Sequence, residues 1–190
     1  ICPFKLEPVS ATREEQTLAD AFAPMGALRA IINVGNPVLA RRTPETEPPT
    51  GVSVDIATEL ARRIGVPIEF VVVPTAGKAV ETLRAGAADV GFFAIHPQRS
   101  QGIGFSAPYV LIEGAYLVRE ASPLKTLADV DKPGIRIAVG AKSAYDLFLT
   151  REIKAATLVR TNSSAEVISA FLGQNLDVAA GVRQQLEADQ

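Results

Sequence analysis

Arg99 and His96 are the residues whose types and spacing most suggest chemistry; they stand three positions apart in the run Ala94-Ile95-His96-Pro97-Gln98-Arg99-Ser100. A guanidinium presents a planar fork of donors matched to a carboxylate, and such charge-assisted pairs are strong where water is excluded. The plainer reading is a solvated arginine beside an acid. An imidazole nearby could donate to a bound ligand or shuttle a proton, although a lone histidine before a proline also reads as a satisfied loop residue. Ser143, followed by Ala144, opens a predicted helix whose hydroxyl and free amides favour an anion. Asp146, three residues on, equally suits a plain N-cap. A hydrolytic or proton-transfer alternative would use His96 with Ser100, Ser106 or Ser143. Against it, no base–nucleophile–orienter arrangement is recognisable and no Gly-x-Ser-x-Gly elbow occurs. Gly140-Ala141-Lys142-Ser143 lacks the glycine order of a phosphate loop. The single cysteine, Cys2, and the single histidine cannot build a conventional structural zinc site, so neither a metal nor a cofactor is expected.

Alternating strands and helices must position these groups. Thr12 to Glu15 reads as a capping box opening a helix through Phe22, with Leu18, Ala19 and Phe22 on one face. Leu28 to Val34 is a short apolar strand, and Val38 to Gly51 a proline-rich surface loop. Asp55 to Ile64 is an amphipathic helix with Ile56, Ala57, Leu60, Ala61 and Ile64 on one face, stopped by Gly65. Ile68 to Val73 is a β-branched strand, and Thr75 caps a helix closed by Gly86. Val90 to Ile95 is another strand, which puts Arg99 just beyond a strand end, where α/β sheets hold their ligands. Further strands are expected at Ala115 to Val118, Ile135 to Val139, Thr157 to Arg160 and Asp177 to Val182. Helices run from Ser143 through Leu149 and from Ala165 to Leu172. This alternation implies parallel sheets with crossover helices. Leu83-Arg84-Ala85-Gly86-Ala87-Ala88-Asp89-Val90 and Phe171-Leu172-Gly173-Gln174-Asn175-Leu176-Asp177-Val178 each close a helix and begin a strand. The echo suggests two lobes of similar build joined near Ile95 to Tyr109; one larger sheet with shared capping rules is the alternative.

Composition narrows the function classes. At 190 residues and about 150 residues per domain, one or two domains are expected. With 47% hydrophobic and 21% charged residues the chain can pack a core. A net charge of -2, from 19 basic and 21 acidic residues, points away from nucleic acid and anionic lipid. No run reaches the roughly 18 apolar residues of a membrane span. Ile1 to Ser10 lacks the basic start and apolar centre of a secretory leader, so a mature or cytosolic form is expected, with Cys2 as an inert free thiol rather than a lipid acceptor.

From Asp89 to Tyr109 the residues Pro97, Arg99, Phe105, Ser106, Pro108 and Tyr109 fall in a pattern that resembles the bacterial family 3 extracellular solute-binding proteins, the amino-acid-binding group of the type II periplasmic fold. The resemblance continues through Gly51, Val54 and Asp55, Leu127 to Val130, Ile135 to Val139 and Gly173 to Gly181, covering about Leu28 to Val182. It implies an α/β, two-lobed, type II periplasmic-binding-protein-like fold, each lobe a mostly parallel sheet flanked by helices, closing on a small ligand. The implied division is 1–25 as N-terminal extension and helix, 26–95 as lobe 1, 96–109 as hinge and cleft segment, 110–182 as lobe 2, and 183–190 as the start of a return segment. It also implies that Arg99 grips a ligand carboxylate and that Ser143 opens the second-lobe helix at the cleft.

The departures from the family pattern shape the expected ligand. Val182 stands where amino-acid binders carry an Asp for the ligand's α-ammonium. Leu39 and Ala76 fall where aromatic walls are common, and Ala94 falls on a hydroxyl position. An ammonium buried against Val182 would lose its counter-charge, so a small carboxylate or other anion without a free α-amine is expected, with Glu113 as the residue that could rescue an amine. The candidate ligand set is Arg99, Ser143, Ala144, Ala94, His96, Asn36 and Val182. The expected role is a periplasmic receptor delivering this carboxylate or amino-acid-like solute to an ABC transporter permease, with no nucleic-acid partner. The alternative is an enzyme on the same scaffold, a hydrolase or a cyclohexadienyl-dehydratase-like lyase using His96 and a cleft Ser such as Ser143. In the family the chain continues past the strand matched by Asp177 to Val182. The sequence therefore reads as C-terminally truncated, with an incomplete lobe 1 through which a homodimer is expected.

Overall fold

Short β-branched and alanine-rich runs bounded by helices become strands covered on both faces. A computed structural model describes residues 13–44 and 47–188, in which the strands form two separate sheets. In lobe 1 the order is β2 (Ile68–Val73), β1 (Leu28–Asn33), β3 (Val90–Gly91), all parallel. Helices α1 (Arg13–Phe22), α2 (Val52–Ile64) and α3 (Ala76–Arg84) accompany it. Central β1 buries Leu28, Ala30, Ile31 and Ile32 almost completely, and each large aliphatic side chain so buried contributes about 1.5–3 kcal/mol. Along α2, Val54, Ala57, Ala61 and Ile64 are buried, while Glu59 bridges Arg62 and Arg63 on the outer face.

In lobe 2 the order is β4 (Gly114–Leu117), β7 (Val178–Val182), β5 (Arg136–Gly140), β6 (Thr157–Thr161). With it go α4 (Leu127–Val130), α5 (Ala144–Glu152), a 3-10 turn (Ser164–Glu166), α6 (Val167–Gly173) and α7 (Arg183–Ala188). The strand period of two splits the core. Ile137, Val139, Val178 and Ala180 pack with Leu149 on one face, while Ala138 and Ala179 meet Val167, Phe171, Leu176 and Leu186 on the other.

The two-lobed α/β fold and the mostly parallel sheets agree with the sequence reading, and the sequence echo has a structural counterpart. Asp89 accepts from the Arg29 backbone N–H at 2.9 Å and pairs with its guanidinium, while the Asp89 N–H donates to the Arg29 carbonyl. Asp177 accepts from the Arg136 N–H at 2.8 Å and returns its own N–H to the Arg136 carbonyl. In each lobe this aspartate staples a strand beginning beside the central strand.

Several elements differ from expectation. β4 is antiparallel to β7, because it enters lobe 2 from the crossing segment with no crossover helix before it. The strand expected over Val90 to Ile95 pairs only at Val90 and Gly91. Beyond that point Phe93 folds under Gly91, whose missing Cβ would sit 2.5 Å from its ring. α2 starts at Val52 rather than Asp55, since Gly51 (φ 121) lies so close to the Leu39 carbonyl that a Cβ would come within 2.6 Å. Residues 183–188, expected to begin a return segment, form α7, whose Leu186 lies in the lobe 2 core. On α1, Leu18 and Phe22 remain exposed. Cys2 and the capping residue Thr12 lie outside the described residues.

Candidate ligand-binding site

Arg99 is 4% exposed. A turn fixes it: the N–H groups of Arg99 and Ser100 both donate to the His96 carbonyl, at 2.9 and 3.0 Å. Its guanidinium donates to the Ala94 carbonyl at 3.4 Å and, across to lobe 2, to the Lys142 carbonyl at 3.1 Å. No carboxylate among the described residues pairs with it, and burial holds its pKa below the ordinary guanidinium value. Three of its five N–H groups thus have no acceptor among the described residues.

Lys142 lies at the C-terminal end of β5, immediately before Ser143 and α5. The Ser143 hydroxyl accepts from the Asp146 N–H at 3.1 Å, and the buried Asp146 carboxylate accepts from the Lys142 N–H at 2.8 Å and from Arg160 at 2.8 Å. Ser143 is therefore an N-cap, and Ala144 the first residue of the helix whose free amides lie at this end. Opposite stands the start of α3, capped by Thr75, with Gly77 packed on the Lys142 stem.

The structure brings Arg99, Ala94 and His96 together with the Lys142–Ser143–Ala144 corner. Ala94 contributes its carbonyl rather than a side chain. The His96 Nδ1 accepts from the Gln98 N–H at 3.3 Å, so the neutral ring carries its proton on Nε2, which is buried and has no partner among the described residues. Burial first, then Arg151 and Arg99, push its pKa below the ordinary imidazole value. Neither Asn36 nor Val182 hydrogen-bonds to a member of this cluster among the described residues. The Asn36 side chain closes an Asx turn onto the Val38 N–H, and Val182 is buried in β7 opposite Gly114. Glu113, the residue that could rescue an amine, pairs with Arg183 at 2.9 Å. Ser100 donates to the His96 carbonyl and Ser106 to that of Ala107, so neither they nor Ser143 hydrogen-bonds to the imidazole. Among the described residues no group of histidine, cysteine and acidic side chains could hold a metal ion. Sequence reasoning missed Lys142, Glu81 and Gly77 as cleft residues. Lys142 in its left-handed turn (φ 56) carries no local signal of this role, because Arg99 and Glu81, which it meets across the cleft, lie outside its own lobe.

The family description "Bacterial extracellular solute-binding proteins, family 3" matches residues 35–186. The chain belongs to this family. Solved structures of similar fold include an ancestral amino acid-binding protein that is a precursor of cyclohexadienyl dehydratase (TM-score 0.74, 24% identity, 87% of this chain and 75% of that one). A mutant of the arginine-bound ArgBP from T. maritima has TM-score 0.74 at 21% identity, over 89% of this chain and 79% of that one. An amino acid ABC transporter substrate-binding protein from Streptococcus pneumoniae, bound to L-arginine, has TM-score 0.72 at 18% identity, over 86% and 70%. At these identities the likeness to each is one of fold. Among curated proteins no sequence matches significantly. In this solute-binding protein no helix among the described residues is long and apolar enough to cross a membrane.

Proposed function

We propose that this solute-binding protein captures a small carboxylate, or another anion lacking a free α-amine, between its lobes and delivers it to an ABC-type importer outside the cytoplasm, in the periplasm. One observation carries the reading: Arg99 is buried and, among the described residues, meets no carboxylate and donates only to two carbonyls. A buried charge without a counter-charge is costly, and a ligand carboxylate taking its remaining donors offsets that cost. Ser143 and Ala144 supply a helix N-terminus of the same sign preference, and the orphaned His96 Nε2–H is a further donor for a ligand oxygen. Residues 96–109 act as the hinge between lobe 1 (26–95) and lobe 2 (110–182).

Arginine and lysine, the ligands of several structural relatives, carry a carboxylate but also an α-ammonium. Here the position that would face an ammonium is the buried Val182, and Glu113 is engaged elsewhere. Calorimetric titration with organic acids and with the common L-amino acids tests the proposal. Organic acids without an amine are expected to bind preferentially, and tight binding of an ordinary L-amino acid overturns it. Val182→Asp is expected to raise affinity for an L-amino acid by about 10- to 100-fold, the worth of one charge-assisted hydrogen bond. Turnover is no part of the reading, since no serine hydrogen-bonds to the His96 imidazole among the described residues. Two copies would associate through lobe 1, where the six-residue β2 stands at the edge of the sheet; sedimentation equilibrium checks this.

A further inference from the structure

Lys142 makes three contacts that leave its own lobe. Its carbonyl accepts from the Arg99 guanidinium at 3.1 Å, its Nζ pairs with Glu81 of α3 at 2.7 Å, and its stem lies against Gly77, where an added Cβ would come within 2.9 Å of the Lys142 Cβ and 2.8 Å of its Cδ. Inside lobe 2 the residue is held rigidly. The buried Asp146 fixes its N–H, and Arg160 and Thr150 fix Asp146 in turn. Its backbone stays in the left-handed region at φ 56, a conformation that costs a lysine more than a glycine and persists where the surroundings impose it.

We propose that Lys142 is the latch between the lobes, a positioning residue that draws α3 onto lobe 2 through Glu81 and Gly77 while its carbonyl orients Arg99. The inference goes beyond the ligand assignment and does not depend on it. Closure biased by the protein's own contacts raises the fraction of molecules competent to hold a ligand, and apparent affinity follows that fraction. The hydrogen bond and the charge of Lys142 also hold the Glu81 carboxyl below its ordinary pKa. The latch is therefore fully formed above the usual carboxylate range and weakens as pH falls through the lowered value.

The test is the lobe-to-lobe distance distribution of the protein without added solute, read by energy transfer between labels on exposed positions of α2 and α4 in a Cys2→Ser background. Glu81→Lys and Lys142→Glu each place like charges face to face and are expected to shift the closed-to-open ratio toward open by about two- to fivefold, the range of exposed ion pairs. The exchanged double variant is expected to restore it. Gly77→Ala, which favours the helix itself, is expected to wedge the lobes apart against the Lys142 stem. Folded single variants with the wild-type distribution overturn the latch. So does an exchanged pair that stays as open as the singles, or a Gly77→Ala variant that closes normally. None of these readouts involves the ligand's identity, so a failure here is distinguishable from a failure of the carboxylate assignment.

Discussion

In lobe 1 the Asp89–Arg29 pair is largely buried, bound twice and 2.7 Å long, whereas in lobe 2 the equivalent Asp177–Arg136 pair is half-exposed and 3.6 Å long. The strand each aspartate begins explains the difference. β7 is held on both sides, by β5 over three residues and by β4 over four. β3 is held by β1 alone, over two. The staple has most to do where the ladder is shortest. The cores differ in the same sense: lobe 2 has two continuous clusters, one on each sheet face, and lobe 1 has three smaller ones. Two copies of one βαβαβ plan thus keep their form by different means, lobe 2 by sheet and core, lobe 1 with more help from a local ion pair.

The largest expected effect separates the lobes directly. Leu28→Ala and Ile137→Ala each remove a fully buried side chain from a central strand, and each is expected to cost about 2–5 kcal/mol. If the lobes open separately, hydrogen exchange finds lost protection confined to the mutated lobe. Equal loss in both would make them one cooperative unit. Next comes the staple itself. Asp89→Ala is expected to lower the thermal midpoint by several degrees, and Asp177→Ala to change it little; equal shifts would remove the contrast. The smallest effect is a pH slope. Because burial and two arginines hold His96 below its ordinary pKa, the unfolded chain takes up the proton first. Stability is therefore full above about pH 6.5 and falls as pH drops through that value toward the lowered one. His96→Gln should flatten the slope, which urea titrations across that range would reveal.

The strands were legible because the β-branched runs and the Gly…Asp-Val spacing before β3 and β7 are local signals. Thr75 and Ser143 were legible as helix caps for the same reason. The length of β3 was not, since it depends on how far β1 accompanies it and on Phe93 turning under Gly91. In the site, the type and position of Arg99 suggested a carboxylate, but its burial and its bond to the Lys142 carbonyl depend on the lobes meeting. The Glu113–Arg183 pair, which joins the residue before β4 to the one after β7, likewise has no local signature. Residues acting within one element were readable; those acting between lobes were not.

Arg99→Met puts the account to its most direct test, with calorimetric binding of simple carboxylates and urea unfolding measured on the same variant. A buried charge kept for a ligand should give opposite signs. Carboxylate affinity is expected to fall about 30-fold or more, while fold stability stays level or rises as an unpaired charge leaves the interior. Unchanged affinity together with a clear loss of stability would mean that this guanidinium is a structural brace between the lobes and not the anchor of the ligand.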